Sequence, residues 1–202
     1  MTRGLTPAAV RASFAAAPPP GRRGDDVPPP PDRPRRPASV LVPLLMHADG
    51  LQVLLTRRTP HLSAHAGQVA FPGGRSDEHD LDATATALRE SEEEIGLPPS
   101  RVEVVGRLDL FNTGTGFAIT PIVGLIAVPF PLRPNPSEVA ATFEVPLDFI
   151  LDPANRQRRT GERNGRLRSY FVFDYGGHEV WGATAAILVN LTEILAPRAV
   201  SS

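Results

Sequence analysis

The sequence predicts an α/β protein, a mixed β-sheet flanked by helices. Two patterns carry that expectation. Short runs rich in leucine, valine and isoleucine come in neighbouring pairs joined by turns, as hairpins do. Only a few longer stretches show helical periodicity, so the strand–helix–strand units of a doubly wound parallel sheet are scarce.

Taken in order, Thr6 to Ala17 can form a short helix, with Thr6 as N-cap and Pro7 at the first helical position. Pro18 to Pro37 is dense in proline, which neither donates to a ladder nor continues a helix, so an extended arm is expected there. Ser39 to Met46 and Leu51 to Thr56 read as strands around a turn at His47 to Gly50. Gln68 to Phe71 reads as a short strand before a Pro-Gly-Gly turn. Asp82 to Ile95 reads as a helix stopped by Gly96, with Pro98 beyond. Val102 to Phe111 and Ile119 to Val128 are further strands, and Pro146 to Leu151 a helical turn. Arg156 to Arg168 is a basic stretch read as a solvated hairpin loop, Tyr170 to Tyr175 a strand, and Ala183 to Leu195 an apolar helix. The expected organisation is an N-terminal helix and arm over 1–37, a folded domain over 38–197 and a tail over 198–202.

Composition narrows the classes. The chain has 202 residues, 41% hydrophobic and 21% charged, enough for one buried core. A formal net charge of -1 gives no overall field for nucleic acid or an anionic membrane. No apolar run is long enough to span a bilayer. Cysteine is absent, which excludes disulfides and thiolate zinc sites and fits a cytoplasmic location. Lysine is absent too, so side-chain cations for phosphate are guanidinium groups. Neither monomer nor homodimer is specified.

The chemistry concentrates in Arg89 to Leu97, RESEEEIGL. Glu90, Glu93 and Glu94 stand at i, i+3 and i+4, which puts three carboxylates on one helical face. Such crowding opposes the helix unless a cation offsets it, and carboxylate oxygens suit Mg²⁺ or Mn²⁺. Glu-rich runs are often only solvated faces, and Glu92 reads that way. Upstream, however, lies Phe71-Pro72-Gly73-Gly74, a strand end and glycine pair that let backbone approach a metal closely. The carbonyl of Gly74 could complete a coordination sphere. Arg89 could orient the neighbouring glutamates through charge-assisted pairs.

Gly74 to Leu97 resembles the Nudix box, whose terminal half is matched by Arg89, Glu90, Glu93, Glu94, Gly96 and Leu97. Ser91 stands where an apolar residue is usual. Counted strictly, Leu81 falls where an upstream glutamate belongs, and Asp80 is the nearest acidic substitute. Leu54 to Gly74, LLTRRTPHLSAHAGQVAFPGG, resembles the signature of the coenzyme A diphosphatase branch. Leu54, Leu55, Thr56, Arg58, Gly67, Phe71, Pro72, Gly73 and Gly74 fall in register with it. Thr59 replaces a Ser or Ala, and Ser63 stands where that signature has arginine. A box one residue longer than the general pattern is also typical of that branch. TPIVGLI (Thr120 to Ile126), SEVAATFEVPL (Ser137 to Leu147) and WGATAAIL (Trp181 to Leu188) resemble the same branch.

The resemblance implies a Nudix-like α/β/α sandwich with a loop–helix–loop metal-binding box. It implies hydrolysis of the coenzyme A diphosphate to 3′,5′-ADP and 4′-phosphopantetheine with Mg²⁺ or Mn²⁺. Expected metal ligands are Glu90, Glu94, Glu93 and the Gly74 carbonyl; Glu93, Glu94 and Arg89 are the expected catalytic residues. Arg58, Gly67, Phe71 and Glu138 are candidates for substrate contact. Arg58 reads equally well as a surface ion pair, and Glu138 as a charge at a helix start. His65 reads as structural or solvated, and Trp181 as core more readily than as an adenine platform. Two alternatives stay open: hydrolysis of another nucleoside diphosphate such as ADP-ribose, and a non-catalytic nucleotide-binding regulator.

Overall fold

The computed structural model describes residues 4–24, 32–61, 67–163 and 166–196. In chain order the elements are α1 (Pro7–Ala15), β1 (Arg22–Gly24), β2 (Arg36–His47), β3 (Gly50–Arg58), β4 (Val69–Ala70), β5 (Gly73–Arg75) and α2 (Ala83–Ile95). They continue with β6 (Val102–Arg107), β7 (Leu110–Asn112), β8 (Phe117–Ala127), β9 (Val139–Pro146) and α3 (Leu147–Leu151). The last are β10 (Gln157–Arg163), β11 (Arg166–Tyr175), β12 (His178–Trp181) and α4 (Gly182–Leu195).

The main sheet runs β1-β7-β8-β2-β3-β4, with β5 also on β2, β6 on β8 and β9 on β3. It is mixed: β1 with β7 and β2 with β8 are parallel, the other pairs antiparallel. Side-chain alternation along β2 and β3 divides the core. Leu41, Leu45 and Leu54 face α2, where they bury with Ala87, Ile95 and Leu97. Val42, Leu44, Val53 and Leu55 face the opposite way and pack with Leu147 of α3 and Ile187, Leu188 and Leu191 of α4. The result is the expected helix–sheet–helix layering, with a small antiparallel sheet, β10-β11-β12, beside it.

Helix α2 starts and stops where its sequence directs. Asp82 caps it by accepting from the Ala85 N–H at 2.8 Å. Gly96 ends it at φ 69°, a left-handed conformation favouring glycine, and its N–H reaches the Glu92 carbonyl at 2.9 Å. Ser91, unusual for its position, is fully buried yet satisfied, because its hydroxyl donates to the Ala87 carbonyl at 2.6 Å.

Several expectations need correction. Arg22–Gly24, within the stretch expected as an extended arm, joins the sheet edge beside β7, and Val10 of α1 is fully buried in the core. Arg23 bridges Asp109 and Glu193, which ties that strand to α4. The single strand expected from Val102 to Phe111 divides into β6 and β7 around Leu108, which is itself buried. The stretch from Arg156 to Arg168 is not a loop: it supplies β10 and the start of β11. Glu138 precedes a strand and not a helix, so no helix start explains its charge. Trp181 is 43% exposed and sits against the Tyr170 ring outside the core. Among the described residues no helix is long and apolar enough to cross a membrane.

Candidate active site

The box folds as a loop, anchored by a short strand on β2, against an acidic helix. β5 pairs with β2, bringing Gly74 opposite Ser39 and Gly73 opposite Val40. This lays the glycine pair along α2. A Cβ on Gly74 would lie 2.3–2.7 Å from the three carboxyl atoms of Glu90, so only glycine leaves that carboxylate its space. The Gly73 N–H donates to Glu94 Oε2 at 3.0 Å. One helical turn thus presents Glu90 to Gly74 and Glu94 to Gly73.

The three glutamates differ in environment. Glu94 is 3% exposed, and burial pushes its carboxyl up to about 7, opposed by the Gly73 N–H and by Arg58. Glu138 and Glu90, as like charges, add to the upward push. Glu90 is half-buried and also raised, chiefly by desolvation, with Arg89 pulling the other way. Glu93 is the exposed member, its side chain 59% accessible at the edge of the same face.

Arg89 organises this face. Its Nη1 lies 2.9 Å from Glu90 Oε1 and 3.2 Å from Glu93 Oε2. Its Nε and Nη2 grip Asp80 at 2.9 and 3.0 Å, and Nη2 also reaches the Arg75 carbonyl. Asp80 further accepts from Thr86 Oγ1 at 2.8 Å and from the Asp77 N–H at 2.8 Å. These bonds, the Arg89 pair foremost, hold its carboxyl well below the usual carboxylate range and hold the Arg89 guanidinium above its own. Leu81, the residue at the strict count, is 97% exposed. The acidic partner of the box therefore sits one residue earlier than counting places it.

Arg58 closes β3 with its Nη1 3.6 Å from Glu94 Oε1. Across the ladder Thr59, next in chain, donates its N–H to the Glu138 carbonyl at 2.9 Å, which brings the Glu138 turn beside the same strand end. Glu90, Glu93, Glu94, Gly74, Arg89, Arg58 and Glu138 therefore gather in one region. Gly67 is exposed at φ 71° and precedes Gln68, whose carbonyl accepts from the Arg58 N–H at 3.0 Å. Phe71 does not join that region: its ring is 3% exposed within the core shared by α4, because an apolar side chain at the end of β4 turns inward. His65 and Ser63 lie outside the described residues. Two participants escaped the sequence reading. The Gly73 amide had no side chain to flag it, and Thr86 lies in a stretch read only as part of a helix; its position four before Glu90 was the available signal.

The donor set is of hard oxygens, the chemistry that suits a divalent cation, and Gly74 lets its backbone lie directly against the Glu90 carboxylate. Among the described residues no three carboxylate or imidazole groups are already drawn into a cage. Arg89 holds Glu90 and Glu93, and Arg58 faces Glu94, so each of the three helix glutamates has an arginine partner.

An acidic helix on a mixed sheet, with a glycine loop against its carboxylates, defines a Nudix hydrolase, and the chain belongs to that family: residues 35–161 match the NUDIX domain model. It is a pyrophosphohydrolase of that family, a class acting on nucleoside-diphosphate small molecules and generally using divalent metals. It is 42% identical over 158 residues to "Uncharacterized Nudix hydrolase NudL" of Photorhabdus laumondii, covering 78% of this chain and 84% of that one. The protein of the same description from Yersinia pestis is 41% identical over 158 residues, covering 78% and 79%. Among solved structures, a Nudix hydrolase from M. smegmatis, RenU, aligns at 26% identity and TM-score 0.45 over 57% of this chain and 73% of that one.

Proposed function

We propose that the protein hydrolyses the diphosphate linkage of coenzyme A, giving 3′,5′-ADP and 4′-phosphopantetheine. One observation carries the reading. Two signature residues from opposite parts of Leu54 to Gly74, Arg58 and Gly73, meet at the same carboxylate, Glu94. Described residues of the segment that resembles the coenzyme A diphosphatase branch thus line the acidic site.

In this reading Glu90, Glu94, Glu93 and the Gly74 carbonyl hold Mg²⁺ or Mn²⁺. The bound cation would neutralise diphosphate charge and lower the pKa of an attacking water. Arg58 binds a phosphate oxygen, as its forked guanidinium suits. Arg89, anchored on Asp80, fixes the directions of Glu90 and Glu93. Glu93, the most exposed of the three, holds a second cation or helps take the proton of the attacking water. Glu138 and the backbone at Gly67 border the bound substrate.

Ser63, where the signature has arginine, favours a second reading in which another nucleoside diphosphate is the better substrate. The test is turnover of coenzyme A, ADP-ribose and a dinucleoside polyphosphate with Mg²⁺ or Mn²⁺, each against a chelator control. Metal-dependent release of 3′,5′-ADP in clear preference to the other products is the expected result. Preferred turnover of ADP-ribose or the dinucleoside polyphosphate would sink the coenzyme A assignment and leave the Nudix chemistry standing.

A further inference from the structure

Arg58 stands where the ladder between β3 and β9 slips. Arg57 pairs with Ala141 but Arg58 with Val139, which leaves Ala140 as the extra residue of a bulge. A bulge re-aims the side chains beside it, often at a functional site. The Arg58 side chain, 27% exposed, reaches Glu94 at 3.6 Å, an ion-pair separation too long for a hydrogen bond. Its Nε is buried and has no hydrogen-bond partner among the described residues. A buried donor left without an acceptor carries a desolvation cost that a new acceptor would relieve. Glu94 in turn is nearly fully buried, and the like charges Glu90 and Glu138 face it. The guanidinium therefore balances one carboxylate loosely while keeping a donor unspent.

We propose that Arg58 exchanges partners during turnover: it balances the charge of Glu94 while the carboxylates hold no cation, and turns its fork to a substrate phosphate once a divalent cation is held there. The inference rests on reading the site as one for a diphosphate. A guanidinium presents parallel N–H donors that match two phosphate oxygens, and Nε is one of that pair. The loose contact with Glu94 makes the exchange easy, because no good hydrogen bond has to break. One arginine thus serves both states of the site. Between turnovers it offsets a buried anion, and during turnover it offsets the incoming one.

The exchange predicts effects of opposite sign. Substrate-free protein is titrated with Mn²⁺ at pH 9, and free ion is read by electron paramagnetic resonance. Circular dichroism checks the fold of each variant. Arg58→Gln removes the cation that competes for Glu94, so Mn²⁺ should bind roughly three- to tenfold more tightly than to the wild type. In the same variant KM for the hydrolysed diphosphate should rise about tenfold or more. Arg58→Lys keeps the charge and loses the fork, so Mn²⁺ affinity should stay within about twofold while KM remains raised. An arginine that merely supports the loop would give weaker Mn²⁺ binding in both variants. Unchanged or weaker Mn²⁺ binding in folded Arg58→Gln overturns the proposal. The substrate reading fails separately, by absence of wild-type turnover, and that outcome leaves the competition measured by Mn²⁺ intact.

Discussion

Asp80 and Arg89 form a two-pronged ion pair, Nε to Oδ1 at 2.9 Å and Nη2 to Oδ2 at 3.0 Å, across the turn that leads into α2. The Asp80 side chain is only 7% exposed and accepts a further bond from Thr86. Two consequences follow for Asp80→Asn. Breaking a largely buried pair should destabilise the fold by about 2 kcal/mol at neutral pH, discounted because Arg89 is partly exposed. Turnover should fall with it, since Arg89 loses its anchor and its hold on Glu90 and Glu93. Moving the acid to the strictly counted position, by adding Leu81→Glu, should rescue neither, because residue 81 points to solvent. Melting temperatures and kcat of the single and double variants check this; recovery in the double variant would contradict the pairing.

The same pair has an acid limit. A carboxyl held below its ordinary range stabilises the fold fully above its unfolded value and loses that contribution as pH falls. The unfolded value here is near 3.8. The gap in melting temperature between wild type and Asp80→Asn should therefore be widest at neutral pH and narrow steadily below about pH 4. A gap that stays constant down to pH 2.5 would show that the pair is not its source.

Glu94 should act in the opposite direction. Its folded carboxyl titrates at about 7 against an ordinary 4.5, so the folded state binds the extra proton. In chelator, stability should be complete below about pH 4.5 and decline as pH rises towards 7 and beyond, by on the order of 3 kcal/mol at most. Glu94→Gln should abolish this decline and melt higher than the wild type at pH 8 in chelator. It should also lose metal-dependent turnover by orders of magnitude. A flat wild-type profile between pH 5 and 8 would refute the buried charge, and near-normal turnover in the variant would refute its role as a ligand.

Gly74→Ala isolates the close approach of this backbone to Glu90. The backbone there is not left-handed, so alanine adds no conformational strain, only a methyl 2.3 Å from Glu90 Oε2. Glu90 must swing away. We expect a melting temperature within a few degrees of the wild type, with Mn²⁺ affinity lowered at least about tenfold. Calorimetric titration measures it. Wild-type affinity would mean that Glu90 and the Gly74 carbonyl do not share a cation.

How much of this could be read from residues alone depends on the range of the interactions involved. Helix α2 was legible because everything that defines it is local: Asp82 caps, Gly96 terminates, and Glu90 and Glu94 repeat one turn apart. The shared region of Glu90, Glu94, Gly74 and Arg58 was legible because two compact motifs announce it. The strands β1, β5 and β10 were not, since Arg22–Gly24, Gly73–Arg75 and Gln157–Arg163 carry little apolar alternation and become strands only through their partners. Phe71 and Trp181 were misplaced for a related reason. Whether an aromatic ring at a strand end turns inward or outward is decided by elements far away in sequence, here the apolar face of α4 and the edge of β11. Asp80 was obscured by one residue of register, which a turn sets and a count does not.

The strand at Arg22–Gly24 has a further consequence, for the order in which the molecule can be made. Its ladder partner is Leu110–Asn112, and Arg23 also needs Glu193. A ribosome therefore releases this segment long before either partner exists. This strand of the edge therefore waits unpaired until β7 follows it, and its Arg23–Glu193 tie closes only once α4 is out, so a segment made before its partners is fastened in two stages.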